Sequence, residues 1–279
     1  MKKFLKKCLL WFCILISTMI CMVLLVINIH HKDYYNLTKK TDKETFLMAD
    51  SHGLRINLNK INVDNLSYGS NSYVDIKNQL SWLVKKKKVD RLLLTYDEQM
   101  FSSYRDEYNN NHLSFMYNPV KFSEFKVNYI TKFLTLFEKM VDMKLREFFL
   151  RKKVNSEKSP DESFFDIGKQ ERIRRAKKRI AQQYLEESLT QKSAFNHILD
   201  ICKDNNIELF LIKFPLNEEF LNERSVNKNY MGIKKTNNNF PVLDFSNSIL
   251  DSKFYRDQDH LNEDGLKILE KLIVAKIKP

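Results

Sequence analysis

Apolar and polar residues alternate in blocks along most of the chain, and these blocks predict strands and helices in turn. Short apolar runs bounded by polar or turn-forming residues predict five β-strands, at residues 45–49, 61–66, 89–95, 206–215 and 240–245. Apolar residues at helical spacing predict helices over residues 73–86 and 263–277. Strand, helix and strand within about thirty residues are typical of a βαβ unit. We therefore expect an α/β fold: a three-layer sandwich with a central, mostly parallel five-stranded sheet and right-handed crossovers.

The pattern changes between the third and fourth predicted strands. Residues 96–119 are rich in Tyr, Asn, Asp and Ser with little periodicity, which predicts a long loop. Residues 121–152 and 168–199 carry apolar residues at helical spacing and predict two long helices. We therefore expect a loop and helical insertion at about residues 101–190, and the aromatic loop indicates a lid or a glycan-contact role.

The amino-terminal region has the pattern of a membrane anchor. Residues 8–29 form an uncharged apolar run that follows four lysines, long enough to cross a bilayer as a helix. Because basic residues stay on the cytoplasmic side, we predict a cytoplasmic tail and transmembrane helix in residues 1–30, a linker in 31–44 and an extracytoplasmic domain in 45–279. This arrangement predicts a single-pass protein of the bacterial inner membrane. A cleaved signal peptide is the alternative; the residues before Cys21 do not favour a lipoprotein site.

The distribution of charged residues and cysteines argues against a nucleic-acid-binding protein and against an internal disulfide. The formal net charge is +12, of which residues 1–32 contribute +5 and residues 144–179 contribute +7, from thirteen Lys or Arg against six acids. This local excess indicates a solvated helix face, or a surface for anionic lipid or glycan, rather than a nucleic-acid-binding protein. Three of the four cysteines lie in the apolar run, which leaves Cys202 alone in the domain and excludes an internal disulfide there.

Two short segments carry the candidate chemistry. Residues 46–53, Phe-Leu-Met-Ala-Asp-Ser-His-Gly, place Ser51 just after the first strand. Residues 257–265, Asp-Gln-Asp-His-Leu-Asn-Glu-Asp-Gly, place Asp257 three positions before His260, just ahead of the last helix. A serine hydroxyl needs a base within about 3 Å, and a carboxylate on the other ring nitrogen orients that base. The sequence therefore predicts Ser51 as nucleophile, His260 as general base and Asp257 as its partner.

Acyl transfer by a serine also needs donors for the developing oxyanion. The backbone N–H of Ser51 and that of Gly69, in the turn after the second strand, are the candidates. Metal binding is the competing interpretation of the acids and histidines at this site: Asp50, His52, Asp257, Asp259 and His260. Neither an H-E-x-x-H motif nor paired Cys/His spacing supports it, so we predict no metal and no cofactor.

The order of these blocks resembles the SGNH (GDSL-like) hydrolase superfamily. The resemblance covers residues 45–100 and 200–279, and Asp-x-x-His-Leu-Asn is its most specific part. It implies the flavodoxin-like SGNH fold, with Ser51 as the first-block nucleophile, the glycine of Asn65-Leu-Ser-Tyr-Gly69 as an oxyanion donor, and the last-block pair at Asp257 and His260.

Two positions depart from the superfamily pattern. Ala49 stands where the first block usually has glycine. The Gly-x-Asn-Asp of the third block is absent, and the chain reads Thr95-Tyr-Asp-Glu-Gln-Met100 instead. Asp97 then occupies the place of the oxyanion-binding asparagine, where a carboxylate would repel an oxyanion. Gln99 is the candidate substitute donor.

The resemblance implies serine-dependent acyl-ester chemistry. We expect O-acyl transfer or ester hydrolysis on a cell-envelope polysaccharide or related polymer, and the sequence does not separate these two reactions. The expected partners are an acylated or acceptor glycan, the membrane and, for a transferase, an integral-membrane acyl donor. The alternative is a membrane-tethered scaffold or glycan-binding subunit that kept the fold without full activity, which the missing third block favours.

Overall fold

The computed structural model describes residues 2–40, 42–109, 164–226 and 240–277. Its contacts divide the chain into two compact units. The amino-terminal helix belongs to one unit, and all the strands belong to the other, which begins at Lys43.

The strands form one parallel sheet. They are β1 (Thr45–Met48), β2 (Val63–Asn65), β3 (Arg91–Thr95), β4 (Glu208–Lys213) and β5 (Val242–Asp244). The sheet order is β2-β1-β3-β4-β5, and every neighbouring pair is parallel. The predicted α/β class with a five-stranded parallel sheet is therefore confirmed, and β1, which precedes Ser51, is an interior strand.

Seven α-helices lie within the described ranges: α1 (Lys2–Lys40), α2 (Tyr73–Leu83), α3 (Tyr104–Glu107), α4 (Lys169–Gln183), α5 (Leu189–Asp204), α6 (Glu218–Val226) and α7 (Glu263–Ile277). Short 3-10 turns occur at Asn59–Ile61, Glu98–Phe101 and Ser252–Phe254. The amphipathic patterns of α2 and α7 thus form helices where the sequence predicts them.

Most side chains of the three interior strands β1, β3 and β4 are buried, on both faces of the sheet. On one face, Leu47, Leu93 and Ile212 share a core with Leu269 and Ile273 of α7. Their neighbours of opposite parity, such as Met48, Leu94 and Leu211, are also fully buried. Both faces of these strands are therefore apolar, as in parallel sheets covered on two sides.

Helices α2 and α5 form a second apolar layer beside the end of β3. The Tyr73 hydroxyl of α2 donates to the Thr95 carbonyl oxygen over 3.0 Å. Its ring lies 4.9 Å from that of Phe195 in α5. This packing fixes the carboxyl end of β3, which faces the same sheet edge as Ser51.

The prediction of one helix over residues 168–199 is wrong, because the chain breaks between α4 and α5. The Ser188 side chain accepts from the Gln191 N–H and caps α5. The connecting segment is held by Ser102, whose hydroxyl accepts from the Leu185 N–H at 3.0 Å. The long loop predicted from residue 96 contains Glu98–Phe101 and α3 as far as it is described, and the helix predicted at 121–152 lies outside the described residues.

Helix α1 continues to Lys40, into the segment predicted as a linker. Within its first twenty residues, Lys2–Cys21, an 18-residue stretch has a mean hydropathy of 1.9 and no burial. This helix is long and apolar enough to span a membrane, a property that an amino-terminal signal sequence shares.

Candidate active site

Ser51 lies in a tight turn that begins where β1 ends. The Gly53 N–H donates to the Asp50 carbonyl oxygen at 3.2 Å, which closes the turn. A Cβ on Gly53 would lie 2.6 Å from the Ala49 Cβ and 2.7 Å from the Ser67 Oγ. Glycine is therefore required here because the turn folds directly back onto the end of β1, and this close approach sets the position of Ser51.

His260 lies in the loop between β5 and α7, and this loop is closed on itself. Tyr255 and Leu261 form an antiparallel bridge, and the Arg256 N–H donates to the His260 carbonyl oxygen at 3.0 Å. The Asn262 side chain accepts from the Gly265 N–H at 3.0 Å and so caps α7. The start of the last helix thus anchors the loop that carries the histidine.

The structure brings Ser51, His260 and Asp257 together. The Ser51 Oγ lies 2.8 Å from His260 Nε2, across 209 residues of sequence. On the other side of the ring, Nδ1 lies 2.8 Å from Asp257 Oδ1. This is the arrangement in which a neutral histidine accepts the serine proton while a carboxylate holds the N–H of the opposite nitrogen.

The His260 ring is buried, yet its surroundings favour the protonated form. Burial lowers the pKa of His260, but hydrogen bonds to Asp257 and Asp259 outweigh it and hold this pKa above its usual value. The neighbouring His52 acts in the opposite sense and lowers the pKa. The basicity of His260 is thus a balance between two carboxylates and a second histidine.

A second Asp–His pair lies directly behind the nucleophile. His52 Nδ1 lies 3.0 Å from Asp50 Oδ1, and the Arg105 guanidinium forms an ion pair with the other oxygen of Asp50. The Arg105 and Asp50 side chains are 5% and 0% exposed, so this ion pair is fully enclosed. The two residues that flank Ser51 in the sequence are therefore both fixed by buried charges.

These buried groups hold one another in their charged forms. Burial raises the pKa of Asp50, but His52 and Arg105 outweigh it and keep this pKa far below its usual value. Burial likewise lowers the pKa of His52, and the charges of Asp50 and Asp259 overcome it and raise this pKa well above its usual value. The charged neighbours of His52 thus favour its protonated form.

The second histidine packs against the first. The rings of His52 and His260 are stacked, with centroids 4.8 Å apart and an interplanar angle of 16°. Asp259 lies beside both rings, with its Oδ2 3.8 Å from His52 Nε2 and its Oδ1 3.1 Å from His260 Nδ1. Arg179 of α4 reaches both oxygens of Asp259 at 3.2 Å.

The three candidate oxyanion residues have different surroundings. Gly69 lies in the turn after β2, where the preceding Tyr68 N–H donates to the Ala49 carbonyl oxygen at 3.1 Å. Asp97 Oδ1 accepts from the Phe214 N–H at 3.0 Å. Burial raises the pKa of Asp97 to about 7, although the charge of His52 opposes the shift. The side-chain amide of Gln99 donates to Asp50 Oδ2 over 3.3 Å, so it is engaged by the second pair.

Metal binding is the remaining chemistry that the site residues could support. One ligand atom each from His52, Asp259 and His260 lies within 4.8 Å of the others. However, both Asp259 oxygens are bound by Arg179, whose positive charge repels a cation. Both ring nitrogens of His260 also have partners, Asp257 and Ser51. The donor set does not fit a metal ion, and we do not identify these residues as ligands.

The sequence patterns did not indicate the two arginines of the site. Arg105 and Arg179 lie 55 and 80 residues from the aspartates they bind, and only the tertiary fold joins them. Asp50, His52 and Asp259 could be picked out from the sequence because they lie beside Ser51 and His260. The sequence pattern, however, related these three residues only to metal binding. Comparison with known proteins finds no family model that matches this chain and no curated protein that matches it.

Proposed function

We propose that this protein carries out serine-dependent acyl-ester chemistry, O-acyl transfer or ester hydrolysis, on a cell-envelope polysaccharide or related polymer. The observation that supports this most directly is the 2.8 Å contact between Ser51 Oγ and His260 Nε2, with Asp257 at the opposite ring nitrogen. Such an arrangement activates a serine for attack on an acyl carbon.

The proposed reaction has two balanced halves. Ser51 Oγ attacks the acyl carbonyl carbon while its proton passes to His260 Nε2, and the bond to the leaving alcohol breaks as that alcohol takes the proton. Water or a glycan hydroxyl then attacks the acyl carbon and gives its proton to His260, and the bond from that carbon to Ser51 Oγ breaks as His260 returns the proton to Oγ. Donors that include the Ser51 and Gly69 N–H groups stabilise the oxyanion in both halves.

The family and location are part of the same proposal. The sheet order 2-1-3-4-5 is that of flavodoxin-like doubly wound folds, and their reactive groups lie beyond the carboxyl ends of the strands. With the blocks around Ser51 and His260, this supports an SGNH-type hydrolase. The apolar helix α1 supports a single-pass inner-membrane protein whose catalytic domain is extracytoplasmic. Acylated surface glycans in that compartment are the substrates that we propose.

Covalent labelling tests the nucleophile. The full-length protein in detergent is treated with a fluorophosphonate probe, which reacts with an activated serine hydroxyl. We expect labelling of the wild type and its loss in Ser51→Ala and in His260→Ala. The matched controls are Ser193→Ala and His197→Ala, both exposed on α5, and these should label normally. A wild type that does not label would overturn the enzymatic proposal.

One observation favours a second candidate, a membrane-tethered glycan-binding scaffold. Asp97 stands where the third block would supply an amide donor, and its Oδ1 is engaged with the Phe214 N–H. Glycan binding by a wild-type protein that does not react with the probe would support the scaffold. Labelling that depends on both Ser51 and His260 would exclude it.

The physiological substrate requires a cellular experiment. Surface-glycan acylation is compared in a deletion strain that carries either the wild type or Ser51→Ala. Acyl groups lost with the deletion and with Ser51→Ala indicate a transferase, whereas acyl groups that accumulate in both indicate an esterase. Identical acylation in all strains would contradict the proposed substrate class.

A further inference from the structure

The proton-bearing nitrogen of His260 meets two carboxylates. Nδ1 is hydrogen-bonded to both oxygens of Asp257, at 2.8 Å and 3.1 Å, and forms an ion pair with Asp259 Oδ1 at 3.1 Å. The sequence pattern assigns the orienting role to Asp257 alone. The two carboxylates differ greatly in exposure, since the Asp257 side chain is 36% exposed and that of Asp259 is 1% exposed.

Asp257 has a second task in the loop. Its Oδ1 also accepts from the backbone N–H of His260 at 2.9 Å and from that of Asp259 at 3.2 Å. These contacts fold the loop around the carboxylate, so part of its hydrogen-bonding capacity maintains the backbone. Arg256 lies 3.7 Å from the other oxygen of Asp257.

Asp259 is held by charge from two other parts of the fold. Arg179 of α4 contacts both of its oxygens at 3.2 Å, and His52, from the turn after β1, lies 3.8 Å from Oδ2. His260 also contacts Ser51 at Nε2 and the stacked ring of His52. Asp259 is therefore the fully buried anion nearest to the ring, and its position depends on α4 as well as on its own loop.

We propose that Asp259 is a second positioning residue for His260, which supplies the buried negative charge that stabilises the imidazolium while Asp257 holds the Nδ1 proton. This inference rests on the proposed function of Ser51 and His260. In this proposal the positive charge of Arg179, which lies outside the loop, partly offsets the negative charge of Asp259.

The physical reason is the difference in screening between the two carboxylates. His260 gains a positive charge when it takes the Ser51 proton, and a carboxylate shielded from water attracts that charge more strongly than an exposed one at the same distance. Asp259 keeps its charge, because contacts with His260 and His52 hold its pKa well below the usual value despite the opposing effect of burial. Removal of its charge therefore lowers the basicity of His260, and removal of the Arg179 charge raises it.

The test measures the rate of fluorophosphonate labelling of the full-length protein in detergent as a function of pH. The acid limb of this profile follows the deprotonation of His260. We expect Asp259→Asn to move the limb to lower pH by about one unit, and Arg179→Gln to move it to higher pH. The double variant Asp257→Asn/Asp259→Asn should label far more slowly than either single variant. Asp264→Asn, an exposed acid at the start of α7, is the matched control and should not move the limb.

Opposite shifts separate this role from a structural one, because a damaged loop would slow labelling without moving the limb in two directions. The inference is overturned if Asp259→Asn and Arg179→Gln both leave the limb at the wild-type pH. It is also overturned if Asp257→Asn alone abolishes labelling as completely as the double variant does.

A second measurement works without activity. In full-length protein with ¹⁵N-labelled histidine, the ring resonances of His260 are assigned by comparison with His260→Gln, and their titration reports its pKa. A lower pKa in Asp259→Asn supports the inference, and an unchanged pKa overturns it. A wild type that never labels, but whose His260 titrates as expected, would refute the proposed function and leave the positioning role supported.

Discussion

Acids and bases alternate behind the nucleophile, so that each buried charge lies next to one of opposite sign. Asp50 lies between Arg105 and His52, and Asp259 lies between His52 and Arg179. An ionised group in a protein interior is tolerated only when it is paired in this way. The network therefore holds Asp50 and His52, the two sequence neighbours of Ser51, and makes the position of Ser51 depend on distant arginines.

Removal of one arginine tests this dependence. Arg105→Met leaves the buried Asp50 carboxylate beside His52 but without the charge of the arginine. We therefore expect the free energy of unfolding to fall by about 3–5 kcal/mol. Urea denaturation of the full-length protein in detergent measures it. The matched control is Arg174→Met, whose partner Glu171 is on the surface of α4 and whose own side chain is 68% exposed. Equal stability of the two variants would contradict a structural role for the buried pair.

Asp97 predicts a pH dependence of stability. Its pKa is about 7 in the folded protein, raised from 3.8 mainly by burial. The folded state therefore holds this proton more tightly than the unfolded state does, so its contribution to stability is lost as pH rises from about 4 to 7. Asp97→Asn removes this titrating group. We expect the free energy of unfolding of the variant, relative to that of the wild type, to be higher by about 2–4 kcal/mol at pH 8 than at pH 4. Thermal denaturation of both proteins at each pH measures the difference, and a pH-independent difference would contradict the assignment.

At the scale of elements, two glycines near the site differ in what they allow. A Cβ at Gly53 would meet the Ala49 Cβ and the Ser67 Oγ at less than 3 Å, whereas a Cβ at Gly69 has no atom within 4 Å. The first turn is thus packed onto β1, and the second is open. Only the first should be sensitive to an added methyl group.

We expect Gly53→Ala to destabilise the protein by about 1–3 kcal/mol, because the added methyl forces the turn away from β1. The fluorophosphonate rate should fall as well, since Ser51 moves with the turn. Gly69→Ala keeps its backbone N–H and should change stability little. Thermal denaturation and labelling of the two variants provide the comparison, and a greater loss of stability in Gly69→Ala would refute this explanation.

The elements that could be predicted from the sequence are those with a local signal. Helix α7 forms from Glu263 to Ile277, where apolar residues recur at helical spacing. The strands form at short apolar runs, as expected for a parallel sheet that is covered on both faces. The break between α4 and α5 was missed because Ser102, more than eighty residues away, holds the connecting segment. The same limit applies to the site: Ser51, Asp257 and His260 lie in short motifs, whereas Arg105 and Arg179 join them only through the fold.

At the scale of the whole molecule, the proposed membrane location depends on α1. Its Lys2–Cys21 segment matches the thickness of a bilayer, and the basic flank favours a cytoplasmic amino end. The double variant Ile14→Lys/Ile16→Lys should abolish membrane retention, because each lysine at the centre of a span costs about 2.5–3.5 kcal/mol. Cell fractionation measures retention.

Leu189→Lys, at an exposed position of α5, is the matched control and should stay in the membrane fraction. The intact mass of the membrane-bound wild type separates an anchor from a signal peptide. We expect a mass that includes the first helix. A mature protein that lacks it would refute the anchor.

The 209 residues between Ser51 and His260 also set an order of events during synthesis. Ribosomes add roughly 5–20 residues per second, so the serine exists for roughly 10–40 s before its base has been made. Throughout that interval the nascent chain has the Ser51 hydroxyl but not the His260 ring. Fragments from interrupted translation lack His260 altogether. The proposed site, assembled in this order, is complete only when the last strand and the closing helix have joined the rest of the domain.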